Sequence, residues 1–515
     1  MKANRRLSIL SWALMASSNL CGGEPAPDAN TVTIDPSDRK QTIRTFGASD
    51  AWACQYVGQW PDEKRNQVAD WLFSKELDDK GNPKGIGLSI WRFNIGAGSA
   101  DQKNIRDEWR SAECFLQADG TYDFTKQAGQ QWFLKAAKER GVEKLLAFAN
   151  SPPVHFTKNG KAFSDGGESA NLDPANYEKF SRFLVSVLSH FKKEGLAFDY
   201  ISPFNEPQWD WNEDDQEGCP YTNTEIHAIT RSLDSLLSES DLSTKIQISE
   251  AGLLVYLYDD YDKPTRGDQI RDFFDKASPL YLGDRPHVDR IISGHDYFTT
   301  APLDIMKEVR TNLAAKIKQA SVPLEFWQSE YCILGDREQM QAQGKDTGIE
   351  PALYVVRTIH HDLALANASA WHWWTALSPY DYKDGLVYVE KNKTDGKIED
   401  SKLLWALGNY SRFIKPGATR IGTEAGNMNI TDPEGIMISS YLNPGETEVV
   451  MVAVNYSQTD RPITIQVRDK DMKSFKTFLT GPGADEKLKA GSEVNEGSEM
   501  ILPRRSVMTL VGSAK

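Results

Sequence analysis

Eight short apolar runs, each followed by a helix-like stretch, lie between Thr45 and Leu377 and limit this chain to very few folds. They are TFGASDA from Thr45, GLSIWRFNIG from Gly87, KLLAFANSP from Lys144 and DYISPFNEP from Asp199, then KIQISEAGL from Lys245, RIISGHDYF from Arg290, PLEFWQSEYC from Pro323 and ASAWHWWTAL from Ala368. Between them, Tyr177 to Phe191 and Ile305 to Ala320 repeat their apolar residues with a helical period. LDPANYEKF, from Leu172, starts on an Asp-Pro pair of the kind that opens a helix. Eight alternations over roughly three hundred residues predict an α/β fold, the (β/α)8 TIM barrel. An open doubly wound sheet would want a glycine-rich phosphate loop after its first strand, and FGASDAW from Phe46 lacks that spacing.

After Gly417 the character changes. IMISSYLN from Ile436, EVVMVAVNYS from Glu448, RPITIQV from Arg461, SFKTFLTG from Ser474 and SVMTLVG from Ser506 are strand-like, with turn residues between them, and predict a β-sandwich. TVTIDPS, from Thr31, precedes the barrel and is expected to join it. The expected division is an export signal over 1–21, a tether over 22–30, an N-terminal strand over 31–45, a catalytic barrel over 46–405 and a sandwich over 406–515.

Lys2, Arg5 and Arg6 precede a short apolar stretch, Leu7 to Ala16, which reads as an export signal too short to remain a membrane span. Cys21, followed by Gly-Gly-Glu, resembles a bacterial lipoprotein acylation site, although Asn19 and Leu20 depart from the usual small residues. The expected location is therefore the periplasm or the cell surface, with Cys21 a candidate lipid anchor and no other segment fit to cross a bilayer. Cys54, Cys114, Cys219 and Cys332 permit disulfides in an exported chain, in any of three pairings. No cysteine or histidine spacing matches a zinc site, so neither a metal nor another cofactor is expected. A net charge of −14 argues against a nucleic-acid partner.

The chemistry is sought at the C-terminal strand ends, where barrels of this kind carry it. Pro207 cannot donate to a ladder, so the run Tyr200 to Phe204 stops before it and leaves Glu206 at a strand end beside Trp209 and Trp211. Glu330 ends the seventh run, Asp50 ends the first and Glu250 lies within the fifth. Two carboxylates across a sugar ring are what glycosidic cleavage requires: one protonates the leaving oxygen, the other attacks or activates water. Fourteen tryptophans, many of them clustered, suit the flat C–H faces of sugars. A strand-end glutamate alone is more often merely solvated, and it is the joint occurrence on runs four and seven that singles out Glu206 and Glu330. Glu250 reads as structural support, and His155 and His295 as satisfied hydrogen-bonding residues rather than bases. Half of the Trp371-His372-Trp373-Trp374 cluster reads as barrel core, and alternation puts Trp371 and Trp373 on one face and His372 with Trp374 on the other.

TFGASDAW, WRFNIGAGS, ANSPP, SPFNEPQWDW, GHDYF, WQSEY, AWHWW and LGNYSRFIKPGA, spread over nearly the whole chain, resemble glycoside hydrolase family 30. The Asn-Glu-Pro motif is shared across that family's clan, whereas the last stretch, from Leu407 to Ala418, is more telling for the family itself. The resemblance implies a retaining double displacement with Glu206 as acid/base and Glu330 as nucleophile. It also implies that Arg92 hydrogen-bonds the nucleophile, Asn205 contacts the sugar 2-hydroxyl, and Tyr297 lies beside Glu330. Trp374 would wall the cleaved sugar and Asp50 would bind a hydroxyl, with Asn150, Trp52 and Trp209 as further cleft residues. NSPP and NEPQWDW look most like the endo-β-1,6-galactanase branch, which acts on arabinogalactan side chains, although VHF from Val154 stands where bulkier aromatics are expected. β-1,6-Glucan and glucuronoxylan are the alternative substrates within the family; the latter needs cations on the late loops, where YDYKDG offers Lys383. A non-catalytic surface glycan-binding protein is the alternative from another class.

Overall fold

The computed structural model describes residues 30–334, 339–426 and 428–514. The expected export signal, Cys21 and nearly all of the tether lie outside them.

Eight parallel strands form a closed barrel: β2 (Thr45–Ser49), β3 (Ile90–Asn94), β4 (Lys144–Phe148), β5 (Tyr200–Ser202), β6 (Lys245–Ala251), β7 (Val288–His295), β8 (Glu325–Tyr331) and β9 (Ala368–Ser378). Each follows its neighbour in sequence and β9 closes on β2, so all eight apolar runs are barrel strands. They read as nearly unbroken apolar runs because both of their faces are covered. On β3 the alternation is legible in the contacts. Trp91 points outward against Phe73 and Phe133 of the surrounding helices, while Arg92 points inward. The expected helices form at Tyr177–Lys193 and Leu303–Gln319. Asp173 accepts the Ala175 amide and caps a short 3-10 turn that leads into the first of them.

Outside the barrel, β10 (Gly385–Val389) pairs parallel with β9, and β11 (Ile398–Asp400) pairs antiparallel with β10. A second sheet takes the rest: β12 (Thr419–Glu424), β13 (Ile436–Leu442), β14 (Glu448–Asn455), β15 (Arg461–Val467), β16 (Met472–Thr480), β17 (Lys489–Ala490), β18 (Glu499–Leu502) and β19 (Ser506–Ala514). β1 (Thr31–Thr42) lies within it, antiparallel to β12 and parallel to β15. This sheet is apolar on both faces. Ile436, Ile438, Met451 and Ala453 join Val32, Ile34 and Phe475 in a core of its own. Met437, Tyr441, Val450, Val452 and Val454, one residue out of phase, belong to the same apolar core as the barrel. The sandwich is thus fused to the barrel by ordinary packing.

The helix Lys402–Ser411 sits at the junction. Asn409 donates to the carbonyl of Phe478 at 3.1 Å and to Thr509 Oγ1 at 2.9 Å, and Ser411 Oγ donates to the carbonyl of Ile86 at 2.7 Å. Asn409→Ala leaves the Phe478 carbonyl and the Thr509 hydroxyl short of a buried donor. It is expected to cost about 1–3 kcal/mol of stability, read as a lowered urea midpoint at unchanged slope.

Candidate active site

The strand ends of the barrel are where its regularity breaks. The ladder between β7 and β8 slips by one residue, so that Gly294 opposes Gln328 but His295 opposes Glu330. Between β2 and β9 the register slips again, Ala48 opposing Trp373 and Ser49 opposing Thr375, with Trp374 in the bulge. At the end of β6, Ser249 and Glu250 take left-handed backbone conformations with φ of 91° and 46°, and Glu206 after β5 does the same with φ of 43°. Bulges and such conformations re-aim side chains at the cost of local strain. Here they turn Glu206, Glu250, His295, Glu330 and Trp374 toward the mouth. The Glu206 amide donates to the Glu250 carbonyl at 2.8 Å, which ties two of these strand ends together.

The side chains converge on His295. Its Nδ1 lies 2.9 Å from Glu206 Oε1, and its Nε2 lies 2.9 Å from Glu250 Oε2. Arg92 donates to Glu250 Oε2 and to Glu330 Oε2, each at 3.2 Å, and the Tyr297 hydroxyl donates to Glu330 Oε1 at 3.1 Å. One carboxylate oxygen of Glu206 and one of Glu330 lie within 4.8 Å of each other. His295 and Arg92 are fully buried and the three glutamates nearly so.

Burial, together with the charges of Glu330 and Glu250, raises the Glu206 carboxyl above its ordinary range against the pull of His295. Burial also acts to raise Glu250, but Arg92 and His295 outweigh it and hold it below the usual range. For His295 burial works to lower the pKa, but the Glu330 charge and the hydrogen bonds to Glu206 and Glu250 prevail and push it up to about 10.

The cavity above this cluster has a volume of about 480 Å³. Glu206, Glu330, Asn205 and Tyr297 form its floor, with walls of Trp52, Trp374, Trp209, Trp211 and Phe298. Trp52 meets Trp374 edge-on with ring centres 5.2 Å apart. Trp209 and Trp211 lie down because glycines make room: a Cβ on Gly252 would come within 2.5 Å of Trp209 Nε1, and one on Gly218 within 2.4 Å of the Trp211 ring. Trp52 Nε1 and Asn205 Oδ1 are buried without a partner in the protein, as sugar-facing groups would be.

Of the residues singled out in the sequence, Trp52, Asn205, Glu206, Trp209, Tyr297, Glu330 and Trp374 line the cavity. Arg92 reaches it through Glu330. Asp50 and Asn150 are buried behind the lining: Asp50 Oδ1 accepts the Asn94 amide at 2.8 Å, and burial pushes its carboxyl up to about 8. Trp371 and Trp373 are core residues, stacked on each other with ring centres 6.3 Å apart. His155 is exposed on a short 3-10 turn. His295 is hydrogen-bonded, as expected of it, but its partners are the candidate acid and Glu250. Its position opposite Glu330 depends on a one-residue bulge that no local sequence signal announces. The four described cysteines are buried free thiols, so none of the three permitted pairings forms among them. Cys332, at the cavity wall, has its thiol pushed up by burial. Glu206, His295 and Glu330 are the described residues close enough to share a cation, but His295 is already committed to Glu206 and Glu250 on its two nitrogens.

The profile of O-glycosyl hydrolase family 30 matches residues 29–388, and that of the glycosyl hydrolase family 30 β-sandwich domain matches residues 417–510. The chain belongs to glycoside hydrolase family 30. Its (β/α)8 barrel and β-sandwich are that family's architecture. An exo-β-1,6-galactobiohydrolase of Bifidobacterium longum subsp. longum is 32% identical over 284 residues, which are 42% of this chain and 18% of that protein. The chain thus matches less than a fifth of that relative's length. A conserved exported protein from Bacteroides fragilis shares the fold with a TM-score of 0.88 and 37% identity, over 93% of this chain and all of that one. The catalytic domain of a family 30 xylanase from Talaromyces cellulolyticus superposes with a TM-score of 0.68 at 23% identity, over 94% of this chain and all of that one.

A pH-linked stability follows from His295. Free imidazole loses its proton near 6.5, and His295 in the fold loses it at about 10. The folded protein binds more protons than the unfolded chain between these values. The contribution is therefore full below about pH 6.5 and is lost as pH rises through about 10. Urea unfolding of the wild type across that window is expected to show a decline that His295→Gln lacks.

Proposed function

We propose that this family 30 protein is a retaining glycoside hydrolase in which Glu206 is the acid/base and Glu330 the nucleophile. The observation that carries the reading is the pair of buried carboxylates, with oxygens within 4.8 Å, at the floor of an aromatic-walled cavity. Retaining enzymes hold their carboxyl groups about 5–5.5 Å apart, too close to admit the water that inverting enzymes place between them. In the first step Glu206 gives its proton to the leaving glycosidic oxygen while Glu330 attacks the anomeric carbon, so the C–O bond to the leaving group breaks as an ester to Glu330 forms. In the second, Glu206 takes a proton from water, which attacks the same carbon and frees Glu330. Arg92 and Tyr297 orient the nucleophile, Trp374 and Trp52 together form an aromatic wall for the sugar, and Asn205 offers Oδ1 to a hydroxyl. Asp50 and Asn150 support that wall from behind.

For substrate we take β-1,6-linked galactan. The support is the relative named for β-1,6-galactobiohydrolase and the NSPP and NEPQWDW stretches. We further take the protein to be exported, as the similar Bacteroides protein is described to be, and anchored through Cys21. Among the described residues no helix is long and apolar enough to cross a membrane.

Two measurements test these roles. With an activated β-galactoside and azide, Glu330→Ala is expected to yield the α-glycosyl azide and Glu206→Ala the β-glycosyl azide. Azide takes the place of the missing carboxylate in the first and of water in the second. Exchanged products would reverse the roles, and failure of both rescues would favour a non-catalytic glycan-binding protein. Without azide, Glu206→Gln is expected to lose about 10²–10⁴ in turnover. Second, digestion of de-arabinosylated arabinogalactan, β-1,6-glucan and glucuronoxylan is followed by mass spectrometry, with Glu330→Gln as control. A ladder of galacto-oligosaccharides is expected for endo action, and galactobiose alone would assign exo action. Products only from glucan or xylan would overturn the substrate.

A further inference from the structure

Tyr261, on the loop between β6 and β7, is the most exposed of the large apolar side chains among the described residues, at 67%. A single exposed ring is ordinary on a protein surface. This one, however, sits on a left-handed backbone with φ of 49°, which bulky residues rarely adopt. Among the described residues two other aromatics share that conformation, Trp211 with φ of 49° and Phe298 with φ of 63°, and both line the cavity. Tyr261 is also joined to the cavity by a chain of edge-on ring contacts. Phe298 meets Trp209 with ring centres 6.2 Å apart, Trp209 meets Tyr256 at 6.3 Å, and Tyr256 meets Tyr261 at 6.0 Å. Phe298 and Trp209 are cavity walls, and Tyr256 is buried.

The loop is held fast below its tip. Arg266, fully buried, donates to the carbonyls of Gln208 and Gly167, each at 2.8 Å, and to Asp210 Oδ1 at 3.0 Å. Gln208 Nε2 donates back to the Arg266 carbonyl at 2.9 Å. Gln208 and Asp210 flank Trp209, so the segment that carries the cavity wall also braces the loop. Nearer the tip, the Tyr256 hydroxyl donates to Asp262 Oδ1 at 2.7 Å and the Tyr261 amide to Asp259 Oδ1 at 2.6 Å. The loop follows a barrel strand, which places it on the same face of the barrel as the cavity.

A ring held in place before binding loses little conformational freedom when it stacks, and its negative face suits the C–H face of a hexose. We propose that Tyr261 is a distal glycan-binding platform, which stacks on a neutral hexose residue of a chain whose cleaved bond lies over Glu206 and Glu330. The inference rests on the glycoside-hydrolase reading of the cavity and extends it outward, so that long chains are held better than short ones.

The test is calorimetric binding to the full-length Glu330→Gln protein. The probes are β-1,6-galacto-oligosaccharides from the disaccharide to the hexasaccharide, with the β-1,6-gluco- and β-1,4-xylo-oligosaccharide series beside them. Affinity is expected to rise about five-fold once the chain is long enough to reach Tyr261, as one aromatic stacking contact provides. Tyr261→Ala on that background should remove the rise and leave disaccharide binding unchanged, whereas Tyr261→Phe, which keeps the ring, should keep the rise. Thermal unfolding checks that both variants remain folded. A rise that survives Tyr261→Ala, a rise lost equally in Tyr261→Phe, an equal fall for the disaccharide, or no rise in any series would overturn the proposal. Turnover of the parent polysaccharides by the wild type separates the two readings. Products without the rise would sink the platform alone, and the rise without products would uphold the platform and sink the hydrolase reading.

Discussion

His295, wedged between Glu206 and Glu250 at 2.9 Å on either side, is the contact on which the centre of the molecule depends. Without a cation there, three carboxylates would share a buried space with Arg92 as their sole counter-charge, and a buried charge left unpaired is strongly destabilising. With His295 protonated, two cations face three acids, and the cluster is neutral when one acid holds a proton. Glu206 is the one whose carboxyl is raised. When Glu330 becomes an ester in the proposed mechanism, one negative charge is removed, and the same two cations then balance an ionised Glu206 and Glu250. The proton on Glu206 can leave without upsetting the cluster.

The barrel supplies this arrangement through departures from its own regularity. Eight strands covered on both faces fix the positions of their ends, and the bulges at Ser329 and Trp374 then set which side chains face the mouth. Arg92 needs no such device, since simple alternation on β3 points it inward. The rest of the wall comes from loops. Trp209 and Trp211 rest on Gly252 and Gly218, and Trp52 rests on Trp374. The aromatic surface is thereby positioned by close packing around a rigid floor.

The amino-acid pattern carried the architecture because barrel strands are apolar, short and evenly spaced, and those properties survive in one dimension. β13 and β14 were equally legible as strands, but their unbroken apolar character concealed that one face meets β1 and the other meets the barrel. Glu206 and Glu330 could be found because Pro207 and the end of an apolar run mark strand termini. The role of His295 could not, because the bulge that sets it opposite Glu330 leaves no local signal in the sequence. Asp50 ends the first apolar run and Asn150 lies near the end of the third, yet whether such a residue lines a cavity or stands behind it is decided by Trp52 and other neighbours remote in sequence.

The position of β1 has a consequence for how the chain reaches this state. Thr31 lies beside Thr464 and Ile34 beside Val467, so the first described strand finds one partner far along the chain, beyond the whole barrel. Pairings so far apart in sequence form slowly, since the loop they close must be ordered before they are rewarded. β1 therefore has no complete seat until β12 and β15 have both emerged, and the sandwich cannot close on a partial chain. The two ends of the described polypeptide are stitched into one sheet, and the barrel between them is held like a loop drawn shut at its neck.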